Sequence, residues 1–250
     1  MAPKITVVTY CHEKHKKWIP FWISQLEKQT FRDFEILFVA HNWKMDALEY
    51  NCWLDGHTVK SDGKIETNTG VSLSDDLWDN FGSLEHTGPP VIGDVINFAL
   101  KNVDTEYFAH WDVDDWIHPD RMRLQAEFLD ANPDIDFLGT RMVGFTGDPT
   151  EEMMKLDYYE PNEPNVEAKI GLDIYHCLLR KGQNCLGHTT MIYRVQAMKD
   201  LGGFSMSDVK LDGKSPDFET WKKALMAGYK FYRLPQLCAL WRLDSSSIRL

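Results

Sequence analysis

Three carboxylates fall within four positions at Asp112-Val113-Asp114-Asp115, directly after the aromatic, apolar run Tyr107-Phe108-Ala109-His110-Trp111. A run of that composition reads as a buried strand. Carboxylates at the carboxyl end of a strand in an α/β sheet stand in the crevice where such folds hold ligands, and oxygen-only donors suit Mg2+ or Mn2+. The competing reading is a solvated acidic turn ahead of a helix that Pro119 announces, because Asp is both a turn former and an N-cap.

Positioning these carboxylates is the work of an alternating β/α pattern. Ile5 to Tyr10 is β-branched and reads as a first buried strand, Trp18 to Lys28 carries apolar residues at helical spacing, and Phe34 to Ala40 reads as a second buried strand. That is a β-α-β unit, so the fold class expected is α/β with a mostly parallel sheet. From Asn42 to Pro90 scattered Gly, Asn, Asp and Ser predict irregular structure with short helical or strand pieces. Gly93 to Lys101 predicts a helix feeding the Tyr107 strand, and Pro119 to Asn132 a helix after the acidic cluster. Strand character resumes at Phe137 to Thr140 and at Thr189 to Arg194. A helix at Phe218 to Ala227 and a strand at Lys230 to Leu234 close the pattern. The polar stretch Phe145 to Asn165 reads as a surface excursion of the kind that carries ligand contacts.

Composition narrows the function classes. A chain of 250 residues, 43% hydrophobic, can bury a large core without disulfides, and one domain is expected. The net charge of -11 argues against a nucleic-acid partner, which needs clustered Lys and Arg. Five cysteines without C-x-x-C spacing read as reduced thiols. Neither an apolar leader at Met1-Ala2-Pro3-Lys4-Ile5 nor a run of 18 apolar residues is present, so a soluble, cytoplasmic protein is expected, with peripheral membrane association left open.

Four segments in order resemble the family 2 glycosyltransferases, inverting, nucleotide-sugar-dependent enzymes of GT-A fold. Ser24 to Val39 is similar to that family's S-L-x-x-Q-T-y-x-d-f-E-i-i-v-V stretch, and Asp112-Val113-Asp114-Asp115 with Pro119 and Arg121 stands in the place of its D-A-D-D segment. Gly187 to Arg194, continuing to Gly202-Gly203-Phe204, is similar to its h-x-s-x-m-f-R and G-G-F. Asp217 to Trp221 through Gly228, then Trp241-Arg242 and Ser245 to Ser247, resembles its E-D-x-x-L-W helix and closing Y-R-x-H-x-x-S. The coverage runs over roughly residues 4 to 248.

The resemblance implies a Rossmann-like, mixed but mostly parallel sheet flanked by helices in one domain, its half up to about residue 118 binding a nucleotide-sugar and its half from about 119 binding the acceptor and holding the base. The activity implied is metal-dependent, inverting transfer of a sugar from a nucleotide diphosphate donor, a UDP-sugar first, to a glycan or glycoconjugate. The alternative is a catalytically degenerate nucleotide-sugar or glycan-binding protein of the same fold. Mn2+ or Mg2+ is the implied cofactor, with Asp114 as first ligand, Asp112 on the metal or the ribose, and Asp115 as neighbour or second ligand. Asp217 takes the catalytic-base position, with an N-cap role also open and Glu219 as the fallback base. Thr9, Tyr10 and Glu13 fall where the family lines its nucleotide pocket, Asn97 matches its A-R-N-x-g asparagine, and His188 falls near the acceptor or diphosphate. For Tyr10 a core-edge role, and for His188 a hydrogen-bonded structural role, compete.

Two departures matter. Val39-Ala40-His41-Asn42-Trp43 replaces the family's V-D-D-G-S, so His41 or Asn42 is expected to take over the base contact. Asp244 replaces the closing histidine and can still ligate Mn2+, while Arg242 is expected to neutralise the leaving diphosphate. A phosphohydrolase reading of D-x-D-x-[TV] fails at its fifth position, which is Trp116.

Overall fold

A computed structural model describes residues 3–55, 57–59, 65–67, 72–89, 91–158, 174–207 and 215–243, with backbone alone at 47–50, 57–59 and 65–67. Its strands are β1 (Ile5–His12), β2 (Phe34–His41), β3 (His57–Val59), β4 (Ile65–Thr67), β5 (Phe81–His86), β6 (Tyr107–His110), β7 (Trp116–Ile117), β8 (Phe137–Phe145), β9 (Ile192–Arg194) and β10 (Phe231–Arg242). Its helices are α1 (Ile19–Leu26), α2 (Ala47–Leu54), α3 (Asp75–Trp78), α4 (Ile92–Leu100), α5 (Arg121–Ala131), α6 (Val195–Asp200) and α7 (Pro216–Met226). Eight strands form one mixed sheet in the order β5-β2-β1-β6-β9-β8-β10-β7, and β3 with β4 makes a separate hairpin. The pairs β5-β2, β2-β1, β1-β6 and β8-β10 are parallel, whereas β9 runs antiparallel to both β6 and β8.

Side-chain alternation divides two cores across this sheet. Ile5 and Val7 of β1 with Phe34, Ile36 and Phe38 of β2 face one side, where α1 and α5 contribute Trp22, Ile23, Met122 and Leu129. Val8, Leu37 and Val39 face the other, against Val95, Ile96 and Ala99 of α4 and Trp221 and Ala224 of α7. With both faces covered, the strands carry near-continuous apolar runs, as buried parallel strands do. A fully buried side chain of this size contributes about 1.5–3 kcal/mol, so these contacts hold the helices against the sheet.

The strand ends are what the site needs. β1, β2 and β6 run parallel in register, Val8 opposite Leu37 and His110, so their carboxyl ends open on one edge of the sheet. α7 starts at Ser215-Pro216 and stops at Gly228, whose φ of 91° lets its N–H reach Leu225 O while the Tyr229 N–H reaches Ala224 O. Helix α6 ends the same way at Gly202-Gly203, both with φ of 86°. Gly93 in α4 admits close approach of the chain, since a Cβ there would overlap Ser205 O.

Expected elements are present with shifted limits. The expected helix from Trp18 is preceded by a three-ten helix at Glu13–Trp18, the Thr189 strand begins as a three-ten turn at His188–Thr190, and the closing strand continues from Leu234 to Arg242. Pro235 sits where the β10 register against β8 shifts between Arg233 and Leu237, so the bulge absorbs the proline. The five cysteines, Cys11, Cys52, Cys177, Cys185 and Cys238, are buried. Among the described residues no helix is long and apolar enough to cross a membrane.

Candidate active site

The acidic turn is held from three directions. Gln25 of α1 donates to Asp115 O at 3.1 Å and accepts the Ile117 N–H at 2.7 Å. Gln29 donates to His118 O, and the Thr30 N–H and hydroxyl reach Pro119 O and Asp120 Oδ1. The S-L-x-x-Q-T and D-x-D-D segments, about ninety residues apart, are therefore one contact. Beneath them Arg121 is buried: it donates to His110 O at 2.8 Å, to Met191 O at 3.4 Å and to Gln125 Oε1 at 2.9 Å. Burial pushes its guanidinium down to about 10, against the pull of Cys238, Asp112 and Asp115.

This frame sorts the three carboxylates. Asp112 and Asp114 keep 30% and 13% of their side-chain surface exposed, while Asp115 keeps 1% of its residue surface. Asp115 Oδ1 accepts the Arg242 N–H at 3.0 Å. Burial first, then the charges of Asp112 and Asp114, raise the Asp115 carboxyl well above the usual carboxylate range. The Asp112 N–H is received by Thr189 Oγ1 at 3.2 Å, and His15 Nδ1 stands 3.8 Å from Asp114 Oδ2.

Tyr10 and His188 join the acidic turn to α7. His188 Nδ1 is 3.8 Å from Asp112 Oδ2, and its ring centroid is 6.2 Å from that of Tyr10. Burial and the carboxylates of Asp112, Asp217 and Asp114 raise the Tyr10 hydroxyl well above its ordinary value. Asp217 lies in the first turn of α7, where the helix dipole favours an anion. Its Oδ2 accepts Asn184 Nδ2 at 2.7 Å, and its Oδ1 accepts the Phe218 N–H at 2.8 Å and the Ser215 hydroxyl. Burial raises its carboxyl, while His188, the Phe218 N–H and Asn184 oppose the rise. Asp112, Asp114, Tyr10, His188 and Asp217 thus share one site. Glu219 stands apart, two positions along the helix, with Lys222 Nζ at 3.7 Å.

Most of the remaining expected residues are held by hydrogen bonds to neighbouring elements. Thr9 is fully buried and donates to Trp111 O, tying β1 to the strand end beside it. Glu13 is exposed on the three-ten helix. Asn97 clasps the Gly203-Phe204 backbone, donating to Phe204 O at 3.0 Å and accepting the Phe204 N–H at 2.7 Å. Arg242 packs its guanidinium 4.2 Å over Trp18 and 4.5 Å over Phe145, and donates to Asp114 O and Gly147 O. It therefore braces the acidic turn from behind. His41 is fully buried in a chain that runs from Asp94 Oδ2 to His86 Nε2 (3.2 Å), His86 Nδ1 to His41 Nδ1 (3.0 Å) and His41 Nε2 to Asn42 Nδ2 (3.1 Å). Asn42, at φ 61°, occupies the family's glycine position and exchanges two hydrogen bonds with Gly88. Asp244 and Ser245 to Ser247 lie outside the described residues.

Gln25, Arg121, Gln125, Asn184 and Thr189 escaped sequence reasoning as site residues. Among the described residues no three His, Cys, Asp or Glu side chains group as a metal site.

The mixed sheet is of GT-A type, with the carboxylates at the end of its β6 strand. Residues 92–202 match the family model described as glycosyl transferase family 2. The fold matches the crystal structure of S. aureus TarS 1-349 in complex with UDP-GlcNAc, with a TM-score of 0.68 at 19% identity over 98% of this chain and 60% of that one. It also matches mannosyltransferase PcManGT from Pyrobaculum calidifontis in complex with GDP-Man and Mn2+, with a TM-score of 0.64 at 15% identity over 99% of this chain and 59% of that one. The chain spans about 60% of the length of both. No protein of curated function matches the sequence.

Proposed function

We propose that this protein is a metal-dependent, inverting glycosyltransferase that moves a sugar from a nucleoside diphosphate donor, a UDP-sugar first, to a hydroxyl of a glycan or glycoconjugate. The observation that carries the reading is the meeting of two partly exposed carboxylates with a third, on another element, across Tyr10 and His188.

The donor set fits a hard divalent cation. Asp112 and Asp114 offer oxygen ligands and retain solvent access, whereas Asp115 is turned into the core. Two carboxylates completed by substrate phosphates is the arrangement Mg2+ commonly takes, and Mn2+ accepts the same ligands. When bound, the cation stabilises the charge that develops on the leaving diphosphate. Asp217 receives the acceptor hydroxyl's proton as that oxygen attacks the anomeric carbon from the face opposite the diphosphate, which inverts the configuration. Its carboxylate is oriented by Ser215, Phe218 and Asn184, and only its ionised form can act. Activity should therefore fall as pH drops through its raised value.

The test joins binding to turnover. UDP, GDP, dTDP and CMP and their common sugar conjugates are screened by thermal shift with and without Mn2+, because a ligand specific to the native state raises its stability. Asp217→Asn should then lower transfer by about 10²–10⁴-fold, the usual worth of a general base, and leave the nucleotide shift intact. A near-wild-type rate would move the base elsewhere, and binding with no turnover in the wild type would favour a degenerate nucleotide-sugar-binding protein.

A further inference from the structure

We infer that Asn184 is the positioning residue of Asp217, fixing the carboxylate's direction through a hydrogen bond that favours its ionised form, so that this loop residue tunes the base. The inference rests on the assignment of Asp217 as the base.

Asn184 cannot turn its amide the other way without losing a bond. Its Oδ1 accepts the Leu186 N–H at 3.2 Å, which leaves Nδ2 as the atom that faces Asp217 Oδ2 at 2.7 Å. The backbone around it is fixed on both sides. The Gln183 N–H is bound to Cys177 O, Gly182 turns the chain at φ 62°, and the following Cys185 and Leu186 are buried in the core. Arg233 of β10 donates to Cys185 O at 3.3 Å. An exposed side chain has thus been given a single direction by buried neighbours, and that direction is the outer oxygen of Asp217.

The other partners of Asp217 come from its own helix start, Ser215 and the Phe218 N–H, and both reach Oδ1. Among the described residues Asn184 is the hydrogen-bond donor to Oδ2, so its removal should free one oxygen to rotate and accept water. The titratable groups facing Asp217 are His188, from the turn just beyond Asn184, and Tyr10 of β1, while Glu219 on α7 has Lys222 beside it. Of these, His188 favours the ionised carboxylate, and Asn184 adds to that effect without a charge of its own.

The experiment uses the whole chain. Carboxyl carbons of aspartate are followed by ¹³C NMR across a pH titration, with the Asp217 signal identified by its loss in Asp217→Asn. Asn184→Ala should move the Asp217 midpoint upward, and the near-isosteric Asn184→Asp should move it further by placing a like charge against it. With UDP-GlcNAc or GDP-mannose and Mn2+, whichever is turned over, Asn184→Ala should lower kcat by about 10- to 100-fold, the worth of one hydrogen bond to a charged group. The donor KM should stay unchanged and the acid limb of the rate profile should move with the midpoint. Unchanged midpoints in both folded variants would overturn the role. Loss of activity in Asp217→Asn together with wild-type midpoints in the Asn184 variants would sink this inference alone. Wild-type activity in Asp217→Asn would sink the base assignment beneath it.

Discussion

Asn97 separates a pocket residue from a scaffold residue by measurement. The family resemblance expects it at the donor, whereas its amide forms two reciprocal hydrogen bonds with the Phe204 backbone across 107 positions of sequence. Truncation in Asn97→Ala leaves the Phe204 N–H and C=O without their partner, at about 1–3 kcal/mol each if sealed from water. Both groups are partly buried, so water recovers a share and the low end applies, about 2 kcal/mol for the pair. For a chain of this size about 2–4 °C of melting temperature accompanies each kcal/mol, so a drop of about 4–8 °C is expected without any nucleotide. Asn97→Asp keeps the acceptor for the Phe204 N–H but sets oxygen against the Phe204 carbonyl. Its loss should match or exceed that of Asn97→Ala at neutral pH and shrink on acidification, when the new carboxyl becomes a donor.

The assay is a melt of the wild type and both variants, alone and with UDP plus Mn2+. Phe204 packs 5.6 Å from the His188 ring and 5.6 Å from Trp221, so a loosened clasp should also weaken the nucleotide-induced shift, but only alongside the lost stability. An unchanged nucleotide-free melt with an abolished nucleotide shift would refute the clasp and return Asn97 to the donor pocket.

Two other expectations can be tested with similar means. Asp114→Ala should remove the Mn2+-dependent part of any nucleotide shift while leaving the melt of the protein alone within about 1 kcal/mol, as for a partly exposed surface change; a retained metal dependence would exclude Asp114 as ligand. His41 is held below its ordinary value of 6.5 by burial and by His86 and His12. Its folded form binds fewer protons than the unfolded chain, so the stability it contributes is full above 6.5 and is lost as pH falls from there toward the lowered value, at about 1.4 kcal/mol per unit of separation. His41→Gln should flatten the loss of stability between pH 7 and 5 seen in urea titrations, and an unaltered slope would show that the histidine chain does not titrate with unfolding.

The fold was legible where one residue type dominates locally. Ile5 to Tyr10 and Phe34 to Ala40 are mostly apolar or β-branched because both faces of β1 and β2 are buried. β5 escaped because Phe-Gly-Ser-Leu-Glu-His lies on the edge of the sheet with one neighbour, is mostly half-buried or exposed, and so shows neither an apolar run nor a clean alternation. The expected end of the last strand at Leu234 failed for a related reason: Pro235 reads as a stop, and only pairing with β8 shows that a bulge carries the strand past it. At the site, the D-x-D-D turn was visible by spacing, and Asp217 by resemblance. Gln25 and Arg121 lie in segments that carry the resemblance, but their roles, like that of Asn184, were not visible, because each acts on a backbone atom or carboxylate 11 to 90 positions away.

The three neighbouring aspartates also show why spacing alone could not divide their roles. In sequence they are equivalent turn residues, yet the turn sends Asp115 inward, where it receives the Arg242 N–H, and leaves Asp112 and Asp114 toward Tyr10 and His188. An inward carboxylate beside two others is unfavourable, as its raised value records. What offsets it is connectivity: through Asp115 and the Asp114 carbonyl, the end of β10 is fastened to the turn, and the Arg242 guanidinium is in turn held over Trp18 and Phe145. Arg242 therefore serves the acidic turn as a brace whose positive charge lies on the side of the backbone carbonyls. On the proposed reading, the charge of the outward pair is left for a cation and its diphosphate to neutralise. A site with two outward carboxylates holds such a cation weakly until phosphate oxygens complete its shell, so metal and donor should bind as one unit, each raising the affinity of the other by the same factor.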